Sequence, residues 1–425
     1  MPSLIDRANV VLAGGPGTFS KHWSRYPQGI APEALVSGEG CYVTGSDGKT
    51  YLDTVAALGP IILGYGHPAV TEAVLQQVGT GSSFSMMHPL EIEVAELLCD
   101  LIPCAEMVRF MRNGTDATST AVRLARAYTG HEHVIYTGYH GGAMDGYGAT
   151  TTKHAGILPE NLEYNHQIPW GNMEIPEYIT DDLAAVMVEI PALEWGTSDV
   201  VYRKQLIDYQ QLAHDNGALF ILDEVVSFPR FSIHGAQFIY DVPPDLCTIS
   251  KGMANGFPIA ALVGKRRYME RFNNGDIFAS WTFAGETTGL AACKATLETL
   301  LKTGLTNLHD MGAEYAEFLV ETLEQYRLPA TVYGHPARIQ VRWQNMDGVS
   351  AEMLRTIWLA EHAKRLILLG IGVIFPQACW GEKELVCLKE AAYETSQVMR
   401  QAIDDGCIEN WLSCPIISDV LSVRT

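Results

Sequence analysis

Between about residue 90 and residue 265 the chain keeps returning to one pattern, a short apolar run followed by a longer stretch with helical spacing. The runs are Met107 to Met111, Val134 to Tyr136, Ala184 to Ile190, Ala218 to Leu222, Leu246 to Ile249 and Ala260 to Val263. Strands that are apolar on both faces and alternate with helices must be covered on both sides. That predicts an α/β fold with a mostly parallel sheet flanked by helices. Such a sheet keeps its ligands beyond the carboxyl ends of its strands, so the residues that follow each run are where chemistry is to be sought.

The flanking segments have a different texture. Residues 38 to 53, GEGCYVTGSDGKTYLD, set Gly and Asp-Gly turn signals between short β-rich pieces and predict an antiparallel hairpin. After about residue 285 a long helical stretch, ETTGLAACKATLETLLKTG, leads to a mixed region with TVYGHPARIQVRW and LILLGIGVIFP as strand candidates. The expected organisation is a large domain over 71–305 and a smaller α+β domain over 306–425, with the N-terminal segment 1–70 packing on the small domain because its hairpin has no place in a parallel sheet. No period repeats, and no low-complexity linker divides the chain.

Composition narrows the function classes. With 47% hydrophobic and 18% charged residues among 425, the chain can bury a large core and is not disordered. A formal charge of −20 and the absence of a basic run argue against a nucleic-acid partner, which needs a concentrated positive face. The nine cysteines show no C-x-x-C spacing, so neither a structural metal nor a dithiol motif is expected and the thiols read as reduced. No run approaches the ~18 apolar residues of a membrane span, and the first residues lack a signal-peptide core. A cytoplasmic location is the expectation.

Four strand ends carry unusual groups. After Met107 to Met111 comes Arg112-Asn113-Gly114-Thr115-Asp116 and then a helix, whose exposed amides and positive dipole end suit a phosphate. After Val134 to Tyr136 comes Gly138-Tyr139-His140-Gly141-Gly142, an aromatic ring and an imidazole among glycines that admit a flat ligand. Asp223-Glu224 closes the Ala218 to Leu222 run, and a buried carboxylate asks for a cation or a metal. Lys251 follows Leu246 to Ile249 within Ser250-Lys251-Gly252, where desolvation would lower its pKa and make the amine nucleophilic toward an aldehyde. Each feature alone also admits a plain reading: a capped turn, a loop Tyr-His pair, a cap at Asp223, a lysine that snorkels to water. Together they form a kit for pyridoxal phosphate: an anion site, a stacking ring, a carboxylate for a ring nitrogen and an imine-forming lysine.

These segments resemble the class III, fold type I, pyridoxal-phosphate aminotransferases, and within them the glutamate-1-semialdehyde 2,1-aminomutase branch. The resemblance runs from about Gly38 to Leu300 through GSDGKTYLDTVAALGPIILGYGHPAV, RNGTDATSTAVRLARAYTG, GYHGGAMD, ILDEVVSFPRFSIHGAQFIYDVPPDL and SKGMANGFPIAALVG, in family order. It implies a large domain on a mostly parallel seven-stranded sheet. It also implies that Lys251 forms the Schiff base and later moves the proton between substrate and cofactor. Asp223 would hold the protonated pyridine nitrogen, Val225 and Tyr139 would cover the two ring faces with His140 alongside, and Gly114 and Thr115 would bind the phosphate. Thr282, in SWTFAGETTGLAA, matches the threonine that reaches the phosphate of the neighbouring subunit, so a homodimer is implied.

The departures bear on the reaction. Asn113 stands where the family has a phosphate-binding serine, and it either replaces that contact or leaves it missing. SRYPQGIAPEA replaces the aminomutase Ser-Pro-Val-Arg segment, with Arg25 as a loose candidate carboxylate clamp. GVIFPQACWGEKELVC replaces the Ser-Leu-Ala-His block. The expectation is therefore an aminotransferase that moves an amino group from an amino-acid donor to an aldehyde or ketone acceptor through pyridoxamine phosphate. Intramolecular amino transfer, as in the aminomutase, and epimerisation at Cα are the alternatives, while a non-enzymatic binding protein is disfavoured by the presence of both Lys251 and Asp223. Trp281, Phe283, Trp380, Tyr147 and Phe84 are either walls of an aromatic acceptor pocket or core residues. The apolar tail, residues 405 to 425, is expected to serve dimer packing.

Overall fold

The structure, a computed structural model, describes residues 2–141, 155–346 and 348–418. Its backbone divides into two units: one holds the described residues up to His67, 192–196 and 305–418, the other Pro68–Pro191 and Thr197–Gly304. In the first unit β1 (Leu35–Glu39), β2 (Tyr42–Gly45) and β3 (Thr50–Asp53) form an antiparallel meander. Asp47 and Gly48 supply the turn between β2 and β3, with Gly48 in the left-handed region at φ 79°.

The second unit carries the large sheet. Its strands are β4 (Met107–Met111), β5 (His133–Thr137), β6 (Asn165–Gln167), β7 (Leu183–Glu189), β8 (Leu219–Asp223), β9 (Leu246–Ile249) and β10 (Ala260–Gly264), in the spatial order β4-β10-β9-β8-β7-β5-β6. β10 runs antiparallel to both its neighbours, and the remaining pairs are parallel. The carboxyl ends of β4, β5, β7, β8 and β9 therefore share one edge of the sheet. The sequence reading found every one of these strands except β6: Asn165-His166-Gln167 is short and polar, as an outermost strand can be, and has no apolar run to announce it.

The helix Gly114–Thr129 shows how sequence sets these crossovers. Asn113 caps its first turn by accepting from the Asp116 amide, and Gly130, at φ 76°, ends it. Ala117, Ala121, Leu124 and Ala125 recur at helical spacing and pack against Val134, Met187, Ile221 and Leu262 of the sheet. The small alanines let the helix approach the strands closely.

The chain completes the first unit with β11 (Ala330–His335) and β12 (Arg338–Trp343), a hairpin extended by β14 (Val373–Ile374), while β13 (Ile367–Leu368) adds in parallel to β3. The helices Thr306–Gln325, Ala351–Lys364 and Glu382–Asp404 cover a core that contains Tyr315, Leu354, Trp358, Leu388 and Trp380. Trp380 is thus a core residue and not an acceptor-pocket wall, because the chain turns it inward just before the last long helix. Residues 192–196 belong here by hydrogen bonding, Trp195 N to the Val332 carbonyl and Gly334 N to the Leu193 carbonyl. The tail residue Ile417 is buried in the same core, its amide bonded to Thr356 Oγ1 at 2.9 Å.

Within Ala351–Lys364, His362 is fully enclosed, with Nδ1 donating to the Trp358 carbonyl at 2.8 Å, and burial lowers its pKa to about 4. An unfolded histidine titrates near 6.5, so between those values the unfolded chain binds the extra proton and stability is lost as pH falls. We expect His362→Gln to lower the melting temperature at pH 7 but to shrink the further fall between pH 6.5 and pH 4, as measured by thermal unfolding at each pH. An unchanged pH slope in the variant would exclude this assignment.

Candidate active site

The residues that follow β4, β5, β7, β8 and β9 meet at the shared sheet edge. Asp223, the last residue of β8, is 4% exposed, and its carboxylate is satisfied by three donors. His140 Nδ1 lies 2.8 Å from Oδ2, while Thr248 Oγ1 at 2.9 Å and the Val225 amide at 3.0 Å donate to Oδ1. The second ring nitrogen of His140 faces the Thr137 carbonyl at 3.1 Å, so that nitrogen carries a hydrogen and donates it there.

The β4 end lies against this group. A Cβ on Gly114 would stand 2.9 Å from Val225 Cγ1, and one on Gly141, which sits at φ 102°, would collide with the Thr115 hydroxyl. Glycine at both positions is what lets the three strand ends close together. Gly114 and Thr115 open the helix Gly114–Thr129 with their amides in its first turn, the usual place for an anion. The Asn113 side chain is committed to the cap: Oδ1 accepts from the Asp116 amide at 3.0 Å and Nδ2 donates to Asp116 Oδ2 at 2.9 Å.

The Tyr139 amide donates to Glu189 Oε2 at 2.9 Å, and burial, with the Glu189 charge nearby, raises the phenol pKa. Lys251 begins a short 3₁₀ turn, Lys251–Ala254, and its backbone is left-handed at φ 44°. A non-glycine residue pays about 1 kcal/mol or more for that conformation, and such strain gathers at functional sites. Glu224, next to Asp223, is fully buried and accepts from Ala236 N, Gln237 N, Gln237 Nε2 and Ser227 Oγ. It anchors the loop that carries Val225. Burial raises its pKa.

The profile of the class III aminotransferases matches residues 27–373. The chain belongs to that family. Among curated proteins it is 33% identical over 413 residues, 93% of its own length and 95% of the relative's, to the glutamate-1-semialdehyde 2,1-aminomutase of Methanothermobacter thermautotrophicus. It is 36% identical to that of Chlorobium phaeobacteroides over 322 residues, 70% of this chain and 72% of the relative. Among solved structures its fold matches an omega-transaminase from Sphaerobacter thermophilus with a TM-score of 0.82 at 24% identity, over 93% of this chain and 96% of that one. It matches a glutamate-1-semialdehyde aminomutase from Pseudomonas aeruginosa with a TM-score of 0.77 at 20% identity, over 93% of each.

As a class III aminotransferase the protein is an enzyme dependent on pyridoxal phosphate, and its residues fit that group. The glycine cradle joins a helix N-terminus to an apolar side chain at Val225, and the same sheet edge carries the buried Asp223 carboxylate, Tyr139 after β5 and Lys251 after β9. Thr282 is exposed at the surface, beside exposed Trp281 and Phe283. Arg25 is tied to the tail, its Nη1 donating to the Ser418 carbonyl at 2.8 Å. Tyr147 and Gly142 lie outside the described residues.

Sequence reading gave no role to Thr248, Glu189 or Arg112. Thr248 is an inward residue within an apolar strand, and only its pairing opposite Asp223 gives it a role. Arg112 bonds Glu286 Oε2 at 3.1 Å and lies over the Phe283 ring, contacts that depend on a segment 170 or so residues away. We expect Thr248→Val, which keeps the shape and removes one donor from Asp223, to destabilise the fold by about 1–3 kcal/mol, measured by urea unfolding; a variant as stable as the parent would remove Thr248 from the network.

Proposed function

We propose that the enzyme is a transaminase that moves an amino group from an amino-acid donor to an aldehyde or ketone acceptor in two half-reactions. The observation that carries the reading is the buried Asp223 with its three donors, at the same sheet edge as the left-handed Lys251. Bound pyridoxal phosphate supplies the aldehyde that accepts the amino group and a ring that withdraws electrons. Asp223, held by His140, Thr248 and the Val225 amide, keeps a proton on the ring nitrogen. The Gly114 and Thr115 amides and the Thr115 hydroxyl bind the phosphate, while Asn113 orders the turn that presents them. Val225 and Tyr139 would lie against the two ring faces. The Lys251 amine would take the proton from the substrate α-carbon and deliver it to C4′ of the cofactor.

We further read the enzyme as a cytoplasmic homodimer in which Thr282 reaches the partner's phosphate. Thr282 lies in a segment with exposed Phe278, Trp281 and Phe283, and the neighbouring segment exposes Phe84, Met86 and Met87. The two segments are joined by Thr287, whose amide bonds the Ser82 carbonyl and whose hydroxyl bonds that of Gly81. A contiguous apolar surface of this kind suits a second copy of the chain. Among the described residues no helix is long and apolar enough to cross a membrane.

A second reading, intramolecular amino transfer, is favoured by the names of the curated relatives. The absence of the Ser-Pro-Val-Arg and Ser-Leu-Ala-His segments favours the intermolecular one, since those parts retain an intermediate.

The visible absorption spectrum before and after L-glutamate, with no acceptor present, separates them. A visible band that fades with cofactor retained establishes a glutamate-dependent half-reaction. A band that ignores glutamate and other amino-acid donors but responds to an amino aldehyde supports the intramolecular reading. Asp223→Ala and Lys251→Ala should each lose at least ~10²-fold in turnover while keeping the circular dichroism spectrum of the parent, and substantial turnover in either would overturn the assigned role.

A further inference from the structure

Away from that site, in the first unit, two thiols face each other from distant parts of the sequence. Cys41 occupies the turn between β1 and β2 and is 2% exposed, whereas Cys379 follows β14 and is exposed. The two thiols interact directly, and the Cys379 S–H is also directed at Gln377 Oε1, 4.0 Å away. Backbone packing fixes the approach independently. Gly40 and Tyr65 exchange both backbone hydrogen bonds, at 3.0 and 2.7 Å. A Cβ on the adjoining Gly64, at φ 101°, would stand 2.8 Å from Cys379 Sγ and 3.0 Å from the Gly40 carbonyl oxygen. The Cys379 sulfur and the Gly40 carbonyl, next to Cys41, thus both press on the same face of Gly64.

We propose that Cys379 and Cys41 form a thiol–disulfide modification site, in which solvent-facing Cys379 reacts first and buried Cys41 resolves the product. The oxidant is a low-molecular-weight disulfide, RSSR. The Cys379 thiolate attacks one sulfur of RSSR, the S–S bond breaks, and RS⁻ leaves to take up a proton. Cys41 then gives its proton to water and attacks the Cys379 sulfur, displacing the second RS⁻. The net change is two protein thiols and RSSR to one protein disulfide and two RSH, with the protein oxidised by two electrons and RSSR reduced.

The electrostatics agree with that order. The interaction with Cys41 lowers the Cys379 thiol, whereas the same interaction together with burial raises Cys41. Glu384, facing both, raises each, so it does not reverse the difference. Closing the bond fastens the 375–380 segment to the β1–β2 turn. That segment already holds the 53–62 stretch through Phe375 N to the Thr54 carbonyl, Gln377 Nε2 to the Asp53 carbonyl and Ala378 N to the Ile62 carbonyl. The stretch contains consecutive left-handed residues Ala56, Ala57, Leu58 and Gly59. Cys104 and Cys247 also touch, but both are buried, so no solvent oxidant reaches them.

The test treats the reduced full-length holoenzyme with oxidised glutathione, traps free thiols with N-ethylmaleimide and maps peptides by mass spectrometry. The parent should lose two thiols as a Cys41–Cys379 cross-link, with no lasting adduct on Cys379. Cys41→Ala should retain one glutathione on Cys379, and Cys379→Ser, a change at the surface that leaves the core intact, should leave Cys41 unmodified. Cys379 in the parent should react several-fold faster than the other exposed thiols, Cys387 and Cys407. A lasting Cys379 adduct in the parent, or reaction no faster than at those two, overturns the proposal.

Discussion

The second unit is organised around a carboxylate that has no place in an apolar sheet unless it is fully bonded. Asp223 ends a strand whose residues are all buried, and leaving it without donors there would cost several kilocalories per mole. Its three donors come from three different segments: the imidazole after β5, the hydroxyl within β9 and the amide two residues along its own chain. Satisfying one charge therefore ties together the ends of β5, β8 and β9. The β4 end joins them because Gly114 and Gly141 leave room for Val225 and Thr115 to touch their neighbours.

This arrangement also places the costs where they are useful. Lys251 adopts a left-handed backbone directly after β9, and the turn is held by Gly252, which packs on the Phe228 carbonyl and Pro229. Glu224 lies one residue beyond Asp223 and is buried completely, accepting from Ser227 in the loop that follows and from Ala236 and Gln237 at the start of the next helix. Paired acids at the end of one strand thus divide their work, one toward the cofactor edge and the other toward the loop that carries Val225. Only a sheet with both faces covered supplies the low dielectric that makes these bonds strong.

Much of this was open to reading from the chain. The apolar runs marked six of the seven large-sheet strands because strands buried on both faces have no choice but to be apolar. The residues after them, Gly114, Thr115, Tyr139, His140, Asp223 and Lys251, stood out because polar or strained residues at such ends need a reason. β6 escaped, since an edge strand needs no apolar signature. Trp380 was ambiguous because an aromatic side chain favours a core and a ligand pocket equally, and only its place in the first unit's packing separates the two. Arg25 was read for its charge, and its bond to the Ser418 carbonyl comes from a part of the chain nearly four hundred residues distant.

The sequence by itself determined the α/β layering, the family, and the types of residue at each strand end, because periodicity, glycine placement and buried charge are local properties that leave local marks. Tertiary structure alone decided which residues complete the network: Thr248 opposite Asp223, Glu189 beneath the Tyr139 amide, Glu286 on Arg112, and Cys379 against Cys41. Those pairings join residues tens to hundreds of positions apart. Nothing in either partner's neighbourhood encodes the other, so register and packing had to be in place before the chemistry of the pair existed.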